Sequence, residues 1–359
     1  MLELRAATGA FEHLEAWLRD QGFFVPGGEA LVADLFLGYG LSSAIRRGRT
    51  PAPAEPCAPL PLVACSIRPS RYVVSNANMA EVEIGAWERT WAAADYAAAV
   101  QRVRDAIERG DVYQVNLVQH LSAPFAGDPR SLAALLRPIV NDNREPYCGA
   151  GWAIVSASPE LFLARRGRRV WTMPIKGTLP LSSPADLLGS PKDAAEHLMI
   201  VDLERNDLSR VCEPGSVRWP ELMVERPLAG VRHLVSTVEG TLREGVGLAE
   251  LLSATFPGGS VTGAPKIAAV DLIAELEPVG RGAAMGALGW VRGDGDLELS
   301  LTIRTFAIAE ERIHLWVGGG IVWDSDPVAE VEESLVKAAP LLEAIGAPLG
   351  NASRRAVRA

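Results

Sequence analysis

The chain has 359 residues, 35 of them basic and 44 acidic, for a formal charge of −9. A net acidic chain lacks the basic surface that a nucleic-acid backbone requires, so nucleic acid is excluded as the expected partner. With 48% hydrophobic and 22% charged residues, the chain has the makings of a large core in one large domain or two. No apolar run reaches the ~18 residues of a membrane helix, and Glu3, Arg5, Glu12 and Glu15 stand where a signal segment would be apolar. A cytoplasmic protein without membrane contact is the expectation. Cys57, Cys65, Cys148 and Cys212 form no CxxC pair and read as reduced thiols, and no HExxH or Cys/His group points to zinc.

Residues 1–45 hold short apolar segments without a chemical signature. Arg46, Arg47 and Arg49, followed by Pro51, Pro53, Pro56, Pro59 and Pro61, mark residues 46–62 as a loop. The spacing of Tyr96, Val100, Val103 and Ile107 predicts a helix over 92–109, ended by Gly110. Alternation predicts strands over 112–121, 151–163 and 169–175, then a helix over 196–211 closed by the Pro214-Gly215 turn. The last third alternates helices (248–255, 266–275, 329–339) with strands (287–291, 297–305, 313–317). Strands and helices do not alternate regularly enough for a doubly wound parallel sheet, which favours an α+β fold. Residues 1–90 read as an N-terminal part, 91–345 as the main domain and 346–359 as a tail.

Two glycine-rich turns stand out, Pro257-Gly258-Gly259-Ser260-Val261-Thr262-Gly263-Ala264-Pro265-Lys266 and Gly318-Gly319-Gly320. Glycine admits close approach of a ligand to the backbone, and a row of amides can hold a carboxylate or phosphate. Neither run has P-loop or GxGxxG spacing, and either could be an ordinary turn or bulge. Glu330, Glu333 and Lys337 share one helix face, while Glu196 opens another helix. Converging carboxylates would suit Mg²⁺, and an exposed Glu–Lys face has the same spacing.

Thirty-one of the basic residues are Arg and only Lys176, Lys192, Lys266 and Lys337 are Lys. A chain that uses Arg wherever a positive charge suffices keeps Lys for positions Arg cannot fill, such as an amine nucleophile. Lys192, in Ser190-Pro191-Lys192-Asp193, reads as solvated surface. Lys176 follows the apolar segment Met173-Pro174-Ile175, where a charged side chain is otherwise unexpected.

These segments jointly resemble the chorismate-utilising enzymes, a family that includes anthranilate synthase component I, isochorismate and salicylate synthases, and aminodeoxychorismate synthase component I. The resemblance covers about residues 90–345. It rests on ordered motifs: Gly110-Asp111-Val112-Tyr113-Gln114-Val115-Asn116, Ser158-Pro159-Glu160, Pro174-Ile175-Lys176-Gly177-Thr178, Glu196 to Asp207, Arg232-His233-Leu234-Val235-Ser236, 258–266, Thr302-Ile303-Arg304-Thr305, Gly318-Gly319-Gly320-Ile321-Val322 and 330–337. The resemblance implies stacked, mostly antiparallel sheets with helices outside, in two intertwined subdomains. Lys176 is similar to the lysine of the aminodeoxychorismate-forming members, where anthranilate synthases typically have Ala. Gln114 stands where the isochorismate- and salicylate-forming members have a water-activating lysine.

The resemblance implies chorismate as substrate. Arg304 and the amides of Gly318, Gly319 and Gly320 would hold its carboxylates, with Gln114, Gly177, Thr178, His233, Thr262, Gly263 and Lys337 also lining the site. Glu196 and Glu333 resemble the Mg²⁺ ligands, with Glu330 in support. Lys176 would attack the ring as a neutral amine and Glu160 would protonate the leaving oxygen. An unperturbed lysine has a pKa of about 10.4, so an apolar, partly closed setting for Lys176 is expected. No cysteine lies in a GxCxG nucleophile elbow, so ammonia is expected from a separate glutamine amidotransferase subunit. The competing readings are an anthranilate synthase component, formation of isochorismate or salicylate, and a catalytically silent paralogue that binds the amidotransferase. Leu181 in place of an Arg after the lysine motif, and Ala284 in place of an aromatic residue, depart from the family pattern.

Overall fold

The computed structural model describes residues 1–70, 81–140, 145–181, 187, 191–228 and 231–349, without the side chains of 178–180, 191–193 and 228. The chain begins with β1 (Leu2–Leu4), α1 (Ala10–Asp20), β2 (Leu31–Leu37) and β3 (Val63–Pro69). Residues 46–62 form no regular element, as their proline spacing predicts, since each proline removes a backbone donor. Then come β4 (Glu83–Ile84), β5 (Glu88–Arg89), α2 (Ala93–Glu108), β6 (Gln114–Ala126) and α3 (Pro129–Leu136). The helix α2 buries Tyr96, Val100 and Val103, the face that its apolar spacing predicts. In α3, Asp128 caps the first turn by accepting from the Arg130 amide at 2.8 Å.

The middle of the chain runs through β7 (Tyr147–Gly149), β8 (Trp152–Ser156), β9 (Leu161–Arg166), β10 (Arg169–Met173), β11 (Ile175–Pro180) and α4 (Pro191–Ser209). It continues through β12 (Arg218–Leu228), β13 (Val231–Thr241), α5 (Leu248–Thr255), β14 (Gly263–Ala264) and α6 (Lys266–Leu276). The last elements are β15 (Ala287–Arg292), β16 (Leu297–Leu301), β17 (Thr305–Ala309), β18 (Arg312–Ile321) and α7 (Pro327–Ala344). Among the described residues these strands make two antiparallel sheets. The ten-stranded one runs β1-β3-β2-β15-β16-β9-β10-β13-β11, with β12 also on β13. The eight-stranded one runs β14-β6-β18-β17-β8-β7, with β4 and β5 also on β6. The expected α+β architecture of stacked antiparallel sheets is therefore the observed one, and residues 1–90 add strands to both sheets.

One core joins Leu35, Leu37, Leu163, Val170 and Leu299 of the larger sheet to Val115 and Leu117 of β6. A second lies where Leu121, Phe306, Ile313 and Leu315 meet Leu132, Leu341 and Leu342 of α3 and α7. No helix among the described residues is long and apolar enough to cross a membrane.

Three expectations are corrected, each at a motif. The predicted strand 151–163 is two strands in different sheets, because the chain leaves β8 at Ser156 and enters β9 at Leu161 through Ala157 to Glu160. Pro159, lacking an N–H, suits this crossover. The predicted strand 297–305 likewise divides into β16 and β17 at Thr302 to Arg304, where Arg304 adopts φ 49°. Gly318 to Gly320 form no turn but continue β18, paired with Val118, Leu117 and Asn116 of β6. Gly318 is required there, because a Cβ would lie 1.9 Å from the Leu117 carbonyl oxygen.

Buried histidines bridge β6 and β18. His120 Nε2 and His314 Nδ1 are 3.0 Å apart, and the Thr90 hydroxyl lies 2.7 Å from His120 Nδ1. Burial, with the His314 ring and Arg312 adding repulsion, lowers His120 to about 3, and burial with Arg312 lowers His314 to about 4. The unfolded chain takes up protons below its ordinary histidine pKa of about 6.5 and the folded one does not, so stability falls as pH drops through that value. Between pH 7 and pH 5 the expected loss is on the order of 4 kcal/mol, about half from each histidine and read from urea midpoints, and His120→Gln should reduce that slope.

Candidate active site

The two crossovers between sheets lie side by side. The Ala157 amide donates to the Arg304 carbonyl at 2.9 Å, and the Leu301 amide to the Glu160 carbonyl at 3.0 Å. Glu160 and Arg304 are therefore carried on two hydrogen-bonded breaks in the strands. The Glu160 side chain is buried and accepts from the Ser260 hydroxyl at 2.8 Å. Burial pushes its carboxyl above the usual range, against the opposing pull of Ser260, Lys176 and Arg304. Arg304 is partly buried, and among the described residues no carboxylate or other acceptor is hydrogen-bonded to its guanidinium. A partly buried Arg without an anion is a ready partner for a substrate carboxylate.

Lys176 projects from β11 beside a register shift. Lys176 pairs with Leu234 and Leu179 with Arg232, so β11 holds one residue more than β13 across this step. Gly177, at φ 63°, absorbs the bulge, and such a bulge re-aims the side chain next to it. Lys176 Nζ lies 2.5 Å from Glu196 Oε1 of α4, and Gln114 Nε2 donates to the same oxygen at 2.7 Å. The expected apolar setting for Lys176 is thus corrected: its nearest partner is a carboxylate, and attack as a free amine requires that pair to open and the proton to leave.

His233 on β13 donates from Nδ1 to the Gly177 carbonyl at 2.7 Å. Because a carbonyl only accepts, Nδ1 carries the proton. Burial lowers its pKa below the ordinary histidine value, with Arg304 adding to the shift and that hydrogen bond opposing it. Thr262 is buried, with its hydroxyl near that of Tyr39. Gly263, at φ 133°, lets β14 close on β6, since a Cβ would stand 2.2 Å from the Gln114 carbonyl oxygen. The Thr178 side chain lies outside the described residues.

Among the described residues β18 pairs with β17 only from Arg312 to Leu315, so no strand is paired with the β17-facing edge of Gly318 to Gly320. Consecutive residues of a strand face opposite sides. A Cβ at Gly320 would lie 2.0 Å from Gln114 Nε2 and 2.5 Å from Glu196 Oε1. One at Gly319 would lie 3.1 Å from Lys337 Nζ, 3.5 Å from Glu330 Oε2 and 3.8 Å from Glu333 Oε1. The expected trio Glu196, Glu330 and Glu333 is therefore not one cluster: it flanks the glycines from two sides, and no group of three metal-ligating side chains is gathered among the described residues. The donors are nonetheless all oxygens, and Gln114 Oε1, buried and without a hydrogen-bond partner among the described residues, adds another. That chemistry fits a hard divalent cation. Lys337 pairs with Glu333 at 2.8 Å in an exposed bridge and reaches the Gly318 carbonyl at 3.2 Å.

The model of the chorismate binding enzyme family matches residues 73–343. The chain belongs to the chorismate binding enzymes. It is 43% identical over 264 residues to aminodeoxychorismate synthase component 1 of Klebsiella aerogenes, covering 70% of this chain and 58% of that one. It is 40% identical over 318 residues to anthranilate synthase component 1 of Streptomyces coelicolor, covering 85% of this chain and 59% of that one. The chain thus spans somewhat under three-fifths of these relatives' length. Among solved structures, anthranilate synthase component I of Streptococcus pneumoniae superposes with a TM-score of 0.74 at 28% identity, covering 86% of this chain and 80% of that one. An isochorismate synthase of Bacillus anthracis shares the fold, with a TM-score of 0.73 at 23% identity, covering 96% of this chain and 91% of that one.

Sequence reasoning about this chorismate binding enzyme missed Ser260, the hydroxyl on Glu160, and the buried carboxyls Glu204 and Asp207 of α4. Ser260 sat unremarked inside a glycine run. Glu204 and Asp207 fall at i+8 and i+11 from Glu196, on one face with Ile200, a spacing that marks acidic groups on a buried helix face.

Proposed function

We propose that this chain aminates chorismate to 4-amino-4-deoxychorismate, using ammonia supplied by a glutamine amidotransferase subunit. The observation that carries this reading is Lys176: its amine lies beside Glu196, in the field of a buried Glu160 that also feels Arg304. The relatives named as aminodeoxychorismate and anthranilate synthases are about equally similar, so the reading rests on the residues of the site.

Arg304 would bind one carboxylate of chorismate, and the open amide edge of Gly318 to Gly320 the other. Lys176, released from Glu196 and neutral, attacks C2; the ring double bonds shift and the C4–oxygen bond breaks. Glu160 gives its proton to that oxygen, which leaves as water. Ammonia then attacks C4, the C2–nitrogen bond breaks, and Lys176 departs as the free amine. The new ammonium returns a proton to the Glu160 carboxylate, so the enzyme is regenerated and the net change is ammonia in, water out. Gln114 has no titratable proton and would not activate water for attack at C2. Neutral His233 would form a polar wall.

Mg²⁺ would be held by Glu196 on one side of β18 only with Glu330 and Glu333 closing round the triglycine strand from the other, and when bound would neutralise a substrate carboxylate and make the ring more electrophilic. Gly320→Ala would displace Gln114 and Glu196, the groups its Cβ overlaps. It is expected to raise the Mg²⁺ concentration for half-maximal activity about tenfold or more, checked by titrating Mg²⁺ at saturating chorismate.

The deciding experiment incubates the chain with chorismate, Mg²⁺ and ammonia, with and without an aminodeoxychorismate lyase, and separates the products. Lyase-dependent 4-aminobenzoate is the expected result. Fluorescent anthranilate formed without the lyase would identify an anthranilate synthase component instead, and product formed without ammonia would indicate water as the nucleophile.

A further inference from the structure

The bulge that aims Lys176 is not built from β11 alone. Between the pairs Lys176–Leu234 and Leu179–Arg232, the two residues Gly177 and Thr178 stand opposite one residue of β13, His233. A bulge leaves its extra residue outside the ladder, so a backbone group there needs another partner. The Gly177 carbonyl has one in the side chain directly across, since His233 Nδ1 donates to it at 2.7 Å.

The grip is firm from both sides. His233 is 2% exposed and pairs with Arg226 of β12 on the other side of β13, so its ring has little room to turn. Across the bulge, Gly177 holds φ 63°, a left-handed conformation that other residues adopt at a cost, and a Cβ there would stand 2.9 Å from Leu187 Cδ2. Gly177 directly follows Lys176, so a rotation that broke its bond to His233 would swing the Lys176 side chain as well. In the resting enzyme Glu196 also holds the tip of that side chain, 2.5 Å from Nζ. Once the amine is released for attack, its aim rests on the backbone.

We propose that His233 is a positioning residue: by holding the Gly177 carbonyl it keeps the released Lys176 amine aimed at C2, and so directs ammonia to C4. With the bulge slack, the amine reaches C2 less often and ammonia takes that carbon itself. The C2–nitrogen bond then forms with ammonia, the C4–oxygen bond breaks, and the hydroxyl leaves as water with the Glu160 proton, which the new ammonium restores. His233 thereby sets which carbon is aminated. This inference rests on the reading of Lys176 as the nucleophile.

The test measures kcat, KM for chorismate and the ratio of C4- to C2-aminated product, with ammonia and Mg²⁺, in wild type and five variants. These are His233→Phe, His233→Asn, Gly177→Ala, Lys176→Ala and the double variant Lys176→Ala with His233→Phe. His233→Phe keeps a ring but no donor, and is expected to lower kcat about tenfold or more, with KM changed less than about threefold and the ratio shifted toward C2. His233→Asn, whose side-chain amide can donate in place of Nδ1, should keep a ratio near that of wild type. Gly177→Ala strains the bulge from β11 and should shift the ratio as His233→Phe does; it serves where His233→Phe fails to fold. In the Lys176→Ala background, His233→Phe should cost less than about twofold more, because its effect passes through the amine. An unmoved ratio in both His233→Phe and Gly177→Ala, a change in KM alone, an Asn variant no better than Phe, or a full further loss in the double variant would overturn the proposal. Wild-type rate and product in Lys176→Ala would overturn the reading of the nucleophile itself, whereas a Lys176-dependent enzyme with an unmoved ratio in the His233 variants removes only the role of His233.

Discussion

Lys176→Ala is expected to lower 4-amino-4-deoxychorismate formation about 100-fold or more, a loss of some 2.7 kcal/mol of transition-state stabilisation. The amine would form the covalent bond that opens C4 to ammonia, and no other lysine with a described side chain is available for that task. Lys266 is committed to Asp207, and Lys337 to Glu333 on the far side of the triglycine strand. With Ala, ammonia would attack C2 directly and divert residual turnover toward anthranilate, detected by fluorescence. Lys176→Arg separates nucleophile from charge. It keeps a cation for Glu196 but supplies no neutral amine, so it should be as inactive as Ala. A Lys176→Ala enzyme with unchanged rate and product would refute covalent catalysis.

Glu160→Gln is expected to reduce kcat by about 10²–10⁴ while KM for chorismate moves only severalfold. The amide keeps the carbonyl that accepts from Ser260 but has no proton to give to the departing oxygen. Because burial raises the Glu160 carboxyl, the wild-type acid is lost as pH rises through that raised value, and kcat/KM declines with it. The same shift bears on stability. The folded state holds this proton where the unfolded chain has released it, so the contribution of Glu160 to stability is fully present below the unfolded carboxylate range and lost as pH rises. Gln has no such ionisation, so the variant should unfold at higher urea than wild type at pH 7 and at about the same urea at pH 4. A variant equally active, or equally stable at both pH values relative to wild type, would contradict the buried-acid assignment.

Much of this was legible in order along the chain. The apolar spacing of Tyr96, Val100 and Val103 placed α2, the prolines placed the loop at 46–62, and the capping and glycine signals placed most helices to within a few residues. These are local properties, fixed by rotamers, missing N–H groups and the periods of helix and strand, and they need no partner element. The motif set likewise named Glu160, Lys176, Glu196 and Arg304 as a group, because residue type at fixed spacing is written in sequence.

What the local signals could not decide is where the chain changes sheet. Apolar residues run through 151–163 and 297–305 much as they run through single strands, yet each segment breaks at the residue that enters the site. The break depends on which strand lies alongside, and that is a property of packing. Tertiary structure alone also turned the second glycine run from a turn into an open strand edge, set Lys176 against Glu196, and divided the three carboxylates between two sides of β18. It brought the Ser260 hydroxyl onto Glu160, a pairing between residues 100 apart in sequence that no helical or strand period could indicate. The amino-acid sequence by itself determined which chemical groups the site contains; burial and the meeting of two sheets decided which of them are charged, which face one another, and where a proton can be held.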